Sequence, residues 1–395
     1  MSRSSDFLVI AHRGASGYLP EHTLEAYRLA IEQGADFIEP DLVATADGEL
    51  IARHENELSG TTDVASQPRF AARRTIKHID GKAVAGWFSE DFTLAEIRCL
   101  RARERLPHLR HASARHDGRY AIPTLREILA LLRAAEAGGR RVGIYPETKR
   151  PTWFAHEGHR LDGRAIGISL GEALVRTLVE ESFTDPARVF VQSFEVANLI
   201  ELAREIMPRM GVALPLVQLL GDTGSPSVPL TEHLPGPWDL AFHRARGDDL
   251  VAIYGTLPPP LLQRHAGYGV LARADVLQWV RGYATAIGPW KQSLLPRRPL
   301  AEDELRSDGA SARLAGAPTT LVADARAADL AVHAYTLRAE AAFLAVRDDG
   351  GLEPVEDELR RLLALGVAGV FIDQPDRAVA LRAAAASPGP VAHGG

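Results

Sequence analysis

The sequence is poor in cysteine, in lysine and in long apolar runs, and each shortage excludes something. One cysteine, Cys99, in 395 residues rules out an internal disulfide and any multi-cysteine zinc or iron–sulfur site. No stretch approaches the ~18 apolar residues of a membrane span. The first apolar run, residues 7–11, is shorter than the ~7–15-residue core of a secretory signal and runs straight into His12-Arg13-Gly14. The expectation is a cytoplasmic protein, or a periplasmic one if a leader was removed. There is no basic excess: 45 Lys+Arg against 51 Asp+Glu give a net charge of −6, which argues against a dedicated nucleic-acid binder but not against a small anionic ligand. Only four of the 45 basic residues are lysines, a bias that suits GC-rich coding, so a lysine inside a motif, such as Lys149, stands out. No repeat of fixed period is visible, which argues against a solenoid.

What is present is ordinary globular material, 46% hydrophobic and 24% charged. Short apolar runs recur at 7–11, 37–42, 50–54, 142–147, 189–194, 214–220, 284–288, 330–336 and 367–373. Their length and Val/Ile/Phe content suit strands buried on both faces. Helical periodicity lies between them, at 23–31 with Gly34 as a C-cap, and at 124–133, 169–180, 195–206 and 356–365. Alternation of this kind predicts a parallel α/β fold, an eight-stranded TIM barrel. The ninth run, 50–54, follows an Asp47-Gly48 turn and is expected to fold back antiparallel. The expected organisation is one barrel over 1–382, an insertion after strand two over about 43–120, and a loose tail over 383–395. The insertion's stretch 59–119 is irregular and rich in charge. A Pro/Gly-rich segment at 221–237 reads as a long loop or lid.

Ionisable residues gather where the runs end, which in such a barrel is the active face. Glu39 and Asp41, two apart on one strand, share a face. With Glu147 they form a candidate site for a hard divalent cation, Ca²⁺ or Mg²⁺, rather than zinc. The bland alternative is an exposed edge or pairing with arginine. His12 and His54 close two different runs. Cleavage of a phosphodiester near neutral pH needs one group to take a proton and another to give one, and histidine suits both. Arg13 and Lys149 supply positive charge for phosphate oxygens. Gly14 and Gly17 either let a loop approach a ligand or mark a strand–helix turn.

His12-Arg13-Gly14-Ala15-Ser16-Gly17-Tyr18-Leu19-Pro20-Glu21-His22-Thr23-Leu24 strongly resembles the opening motif of the glycerophosphodiester phosphodiesterase family. Gly34-Ala35-Asp36-Phe37-Ile38-Glu39-Pro40-Asp41 resembles its metal motif, and His54-Glu55-Asn56 its second histidine segment. Segments 143–149, 191–194, 216–219, 332–336 and 370–376 match in order, closest to the larger bacterial branch typified by a periplasmic enzyme. The resemblance implies a TIM barrel, a divalent cation on Glu39, Asp41 and Glu147, and an acid–base pair of His12 and His54. It also implies phosphate contacts from Arg13 and Lys149. Gln192, Phe194 and Trp290 would line the pocket, with His333 near the site. The implied reaction is hydrolysis of small glycerophosphodiesters, such as glycerophosphocholine, to sn-glycerol 3-phosphate and an alcohol. Glu55 stands where the family often has Asp. A lysophospholipase D or sphingomyelinase D would instead need an apolar groove at the mouth, and a non-cleaving binder would have lost a histidine or a carboxylate.

Overall fold

The computed structural model describes residues 7–224, 236–263 and 266–386. Most of the 221–237 segment, and residues 387–395 of the expected tail, lie outside the described residues. Each apolar run carries a strand. The chain opens with β1 (Leu8–His12), β2 (Phe37–Glu39), β3 (Asp41–Ala44) and β4 (Leu50–Ala52), followed by a hairpin of β5 (Thr75–Ile79) and β6 (Lys82–Gly86). Next come β7 (Gly143–Ile144), β8 (Glu147–Thr148), β9 (Val191–Ser193), β10 (Leu216–Leu220) and β11 (Ala286–Pro289). The rest are β12 (Arg297–Pro299), β13 (Ala312–Leu314), β14 (Ala331–Leu337), β15 (Ala345–Val346) and β16 (Gly369–Ile372).

Eleven strands form one curled sheet, in the order β4-β3-β8-β9-β10-β11-β14-β16-β1-β2-β7. Its pairings are parallel except β3 with β4, where Val43 faces Ile51, so the run after Asp47-Gly48 does fold back antiparallel. With helices in the connections the fold is α/β. It differs from the expected count because two runs are broken in the middle, at Pro40 and at Tyr145-Pro146. Proline has no N–H to give to a ladder. Backbone bonds nevertheless continue across both breaks: Tyr145, Glu147 and Lys149 donate to the carbonyls of Ile38, Pro40 and Leu42.

Helix starts follow capping chemistry. The Thr23 side chain accepts from the Ala26 N–H to open Leu24–Glu32, and Gly34 follows its Gln33 C-cap in the left-handed region. Thr124 and Glu127 form a capping box for Leu125–Ala137, and Ser169 caps Leu170–Glu180. The 195–206 pattern becomes an α-helix, Val196–Glu201, that widens into a π-turn. Val355–Leu365 ends at Gly366, φ +93°. The charged stretch 59–119 is less irregular than expected. It holds the β5–β6 hairpin, turned at Asp80-Gly81 with both φ positive, and the capped turn Leu94–Ile97.

Alternation along the strands separates two cores. Val9 and Ala11 of β1 face the large cluster that includes the helices. Ile10 joins a second, compact cluster with Phe37, Tyr145, Val217, Ala286 and Phe371, on the opposite face of the sheet.

The loop after β1 explains its glycines. Gly14 has φ +87°, and a Cβ there would stand 2.7 Å from the Ala26 carbonyl carbon; a Cβ on Gly17 would stand 2.3 Å from the Gln374 side chain. Tight packing of a strand–helix turn, rather than approach to a ligand, accounts for both. Gly14→Ala should therefore lower the unfolding free energy by about 2 kcal/mol or more, read from urea denaturation. A change within about 0.5 kcal/mol, as for an indifferent surface site, would contradict this packing.

Candidate active site

The second core fixes where the reactive groups stand. A residue two positions further along a strand shares its face and lies about 6.6 Å onward. Two residues past Ile10 is His12; past Phe37, Glu39; past Tyr145, Glu147; past Phe190, Gln192; past Phe371, Asp373. An apolar layer thus carries a polar layer at the C-terminal ends of the strands. Register aligns this layer across the sheet, with His12 opposite Glu39, Asp41 opposite Glu147, and Glu147 opposite Gln192.

Glu39, Asp41 and Glu147 each place a carboxylate oxygen within 4.8 Å of the others, and all three are buried. Three anions this close in a water-poor site cannot all stay ionised without positive charge. Burial and the neighbouring Asp41 push Glu39 well above the usual carboxylate range. Burial pushes Glu147 up to about 8, although Lys149 opposes the rise. Asp41 goes the other way: burial is outweighed by Lys149, His54, His22 and Arg13, which hold it ionised. Lys149 Nζ lies 2.7 Å from Glu147 Oε1 and 3.2 Å from Asp41 Oδ1. Asp41 Oδ1 is buried and accepts no hydrogen bond. Glu39 accepts from the Arg13 N–H at 2.8 Å and from Gln192 Nε2 at 3.1 Å. Compact, all-oxygen and anionic, this donor set fits a hard divalent cation.

Both histidines are paired through Nδ1. His12 Nδ1 lies 2.6 Å from Asp373 Oδ1. Arg338 and Arg110 hold Asp373 well below the usual range in spite of its burial. An ionised carboxylate only accepts, so His12 donates Nδ1–H and keeps its lone pair on Nε2. Burial, then Arg13, lowers the His12 pKa to about 3, so the ring is neutral. His54 Nδ1 lies 2.5 Å from Glu55 Oε1, and Glu55 is held ionised with help from His54 and Arg105.

Arg13 is engaged on two sides, with Nε 3.3 Å from Asp41 and Nη1 donating to Glu21 at 3.1 Å. Glu21 in turn accepts from Arg105. His22, whose pKa burial lowers to about 4, donates Nε2–H to Asp41 Oδ2 at 2.9 Å and accepts from Tyr27. Phe194 lies with its ring centre 5.7 Å from Lys149 Nζ and packs edge-on against Tyr268 and Tyr335. Trp290 is bridged to Tyr335.

The sequence-predicted residues His12, Arg13, Glu39, Asp41, His54, Glu147, Lys149 and Gln192 thus share one connected set of contacts, His54 joining through Glu55, Arg105 and Glu21 to Arg13, with Phe194 and Trp290 at its edge. His333 does not join them. It packs in the apolar layer, its ring against Phe190 and its Nδ1 2.8 Å from the Tyr145 hydroxyl. Two residues onward stands Tyr335, which reaches the aromatic wall. Sequence reasoning missed Asp373, Glu21, His22, Arg105, Arg110 and Tyr335, and left Glu55 without a role. The two-residue step past an inner apolar residue would have found Asp373.

The family model described as "Glycerophosphoryl diester phosphodiesterase family" matches residues 12–238 and 268–377. A glycerophosphodiester phosphodiesterase of Arabidopsis thaliana is 30% identical over 92% of this chain and 82% of its own length. One from Haemophilus influenzae is 29% identical over 95% of this chain and 89% of its own length. Among solved structures, a glycerophosphodiester phosphodiesterase from Agrobacterium tumefaciens aligns with TM-score 0.51 at 16% identity, covering 95% of this chain and 99% of that one. A phosphodiesterase from Oleispira antarctica, solved with the product sn-glycerol-3-phosphate, aligns with TM-score 0.50 at 18% identity over 96% and 97% of the two chains. These structural likenesses establish a TIM-barrel-like fold.

Burial alone lowers the His333 pKa from 6.5 to about 4. The unfolded chain binds this proton more readily, so stability is full above pH 6.5 and falls as pH drops toward 4, by about 3 kcal/mol. Urea titrations should show His333→Gln flattening this part of the pH–stability curve. An unchanged slope would contradict the assignment.

Proposed function

The chain belongs to the glycerophosphoryl diester phosphodiesterase family, and from that membership we propose that it hydrolyses small glycerophosphodiesters, such as glycerophosphocholine, to sn-glycerol 3-phosphate and an alcohol. One observation carries the chemistry: two histidines, each with Nδ1 committed to a carboxylate, stand on the strands flanking three buried carboxylates, His12 at the end of β1 opposite Glu39 and His54 just past β4, where the Arg53 N–H donates to the Asp41 carbonyl. Glu39, Asp41 and Glu147 would hold a divalent cation, Ca²⁺ or Mg²⁺. When bound, it supplies positive charge for the phosphate and lowers the pKa of a coordinated hydroxyl.

Around that centre the protein's own groups divide the work. His12 is neutral with Nε2 free, the state of a general base, and takes the proton from the attacking oxygen, either the glycerol 2-hydroxyl or water. His54 is the complementary acid and protonates the departing alkoxide. Arg13 and Lys149 contact the nonbridging phosphate oxygens. Gln192 orients Glu39, while Phe194 and Trp290 wall the pocket. The backbone bonds that cross Pro40 and Tyr145-Pro146 support counting β2 with β3, and β7 with β8, as single interrupted strands. With β1, β9, β10, β11, β14 and β16 they make an eight-strand barrel. This supports one barrel over 1–382 with an insertion over about 43–120. Among the described residues no helix is long and apolar enough to cross a membrane.

Replacing His12 or His54 by Ala should cut glycerol 3-phosphate release from glycerophosphocholine by ~10²-fold or more, with the circular dichroism of the variants unchanged. Folded variants that both turn over at the wild-type rate would overturn the assignment.

A further inference from the structure

The proposed acid–base pair is held from outside the barrel. Arg105 and Arg110 both belong to the inserted stretch, and one tight turn sets their spacing: the N–H groups of Leu109 and Arg110 both donate to the Leu106 carbonyl. Arg110 donates Nη2–H to Asp373 Oδ2 at 2.5 Å, while His12 occupies the other oxygen, Oδ1. The same guanidinium donates to the Ser16 carbonyl at 2.8 Å, and the Ser16 hydroxyl donates to the His12 carbonyl at 2.7 Å. Arg105 grips Glu55 with two donors, at 2.9 and 2.7 Å, and Glu55 Oε1 pairs with His54 Nδ1. Arg105 also bonds Glu21 at 2.8 and 2.7 Å, and Glu21 carries Arg13.

We infer that Arg105 and Arg110 are positioning residues for this reaction, each fixing the carboxylate that sets the tautomer and aim of one histidine. The inference rests on the acid–base roles given to His12 and His54. A carboxylate with one oxygen on a histidine stays ionised and keeps its orientation only if the remaining acceptor sites are matched. Two arginines five residues apart do this, Arg105 for Glu55 and Arg110, beside Arg338 at 2.9 Å, for Asp373. The stretch 59–119 therefore supplies one arginine to each dyad. A loss at Arg110 should fall on proton removal from the nucleophile. A loss at Arg105 should fall on protonation of the leaving group.

The test measures kcat and KM for Arg105→Gln, Arg110→Gln and Arg110→Lys beside His12→Ala and His54→Ala. The substrates are glycerophosphocholine and the p-nitrophenyl ester of glycerol 3-phosphate, whose nitrophenolate leaves without a proton. Arg110→Gln should lower kcat about tenfold or more on both substrates, with KM little changed and with partial recovery on adding millimolar guanidinium. Arg105→Gln should lower kcat on glycerophosphocholine by about tenfold or more and much less on the nitrophenyl ester. Should Arg110→Gln fail to fold, Arg110→Lys, which keeps the charge but not the fork, and Arg105→Gln, whose side chain is 25% exposed, carry the test. Folded arginine variants with wild-type kcat on both substrates, beside inactive histidine variants, would overturn this inference alone. Wild-type turnover in the histidine variants would overturn the reading beneath it.

Discussion

Charge balance in a buried place is the constraint on which the rest of this structure depends. Glu21, Glu39, Asp41, Glu147 and Asp373 are each no more than 5% exposed, so none can rely on water for its charge. Removing the partner of a buried charge is far more costly than the pair is beneficial. The fold answers with Arg13, Lys149, Arg110 and Arg338, and with Arg105 at the edge. Even so, Glu39 and Glu147 are pushed toward their neutral forms, while Asp41, ringed by Lys149, His22 and Arg13, stays ionised. At the triad Lys149 and Arg13 are shared among three carboxyl groups, and the deficit that pushes Glu39 and Glu147 up is one a divalent cation would fill.

The scaffold beneath is simple by comparison. Ile10, Phe37, Tyr145 and Phe371 form an apolar layer, and the residue two steps along each strand becomes part of the site. Local pattern was enough to read that much. Apolar runs located the strands, the Asp-Gly turn located the antiparallel return, and strand ends located His12, Glu39, Asp41 and Glu147. The resemblance set His333 near the site, but inside its strand, Ala331–Leu337, His333 packs in the apolar layer against Phe190 and Tyr145, and Tyr335 two residues on reaches Phe194. Local pattern failed at Pro40 and Pro146, which break two ladders that hydrogen bonds otherwise carry through.

Long-range partners were illegible for a different reason. Arg105 and Arg110 lie in a charged stretch without periodicity, in a chain whose arginine richness reads as background. Nothing local marks the two that reach Glu55 and Asp373, since the contact of Arg110 with Asp373 spans 263 residues. Glu21 sits inside a recognisable motif, but its role appears only when Arg13 and Arg105 meet on it. Glu55 looked like a departure from the family pattern; it serves as the carboxylate partner of His54. Such partners are chosen by the fold as a whole, and the charged stretch 59–119 is bound to the candidate site by them.

Cation binding by Glu39, Asp41 and Glu147 is the central claim. Calorimetric titration of Ca²⁺ or Mg²⁺ into EDTA-treated protein, run beside glycerophosphocholine turnover at the same cation concentrations, tests it. The account predicts one bound cation per chain, abolished by Asp41→Asn, with turnover rising along the same curve. Full turnover in the EDTA-treated protein, or tight binding undiminished in Asp41→Asn, would contradict it.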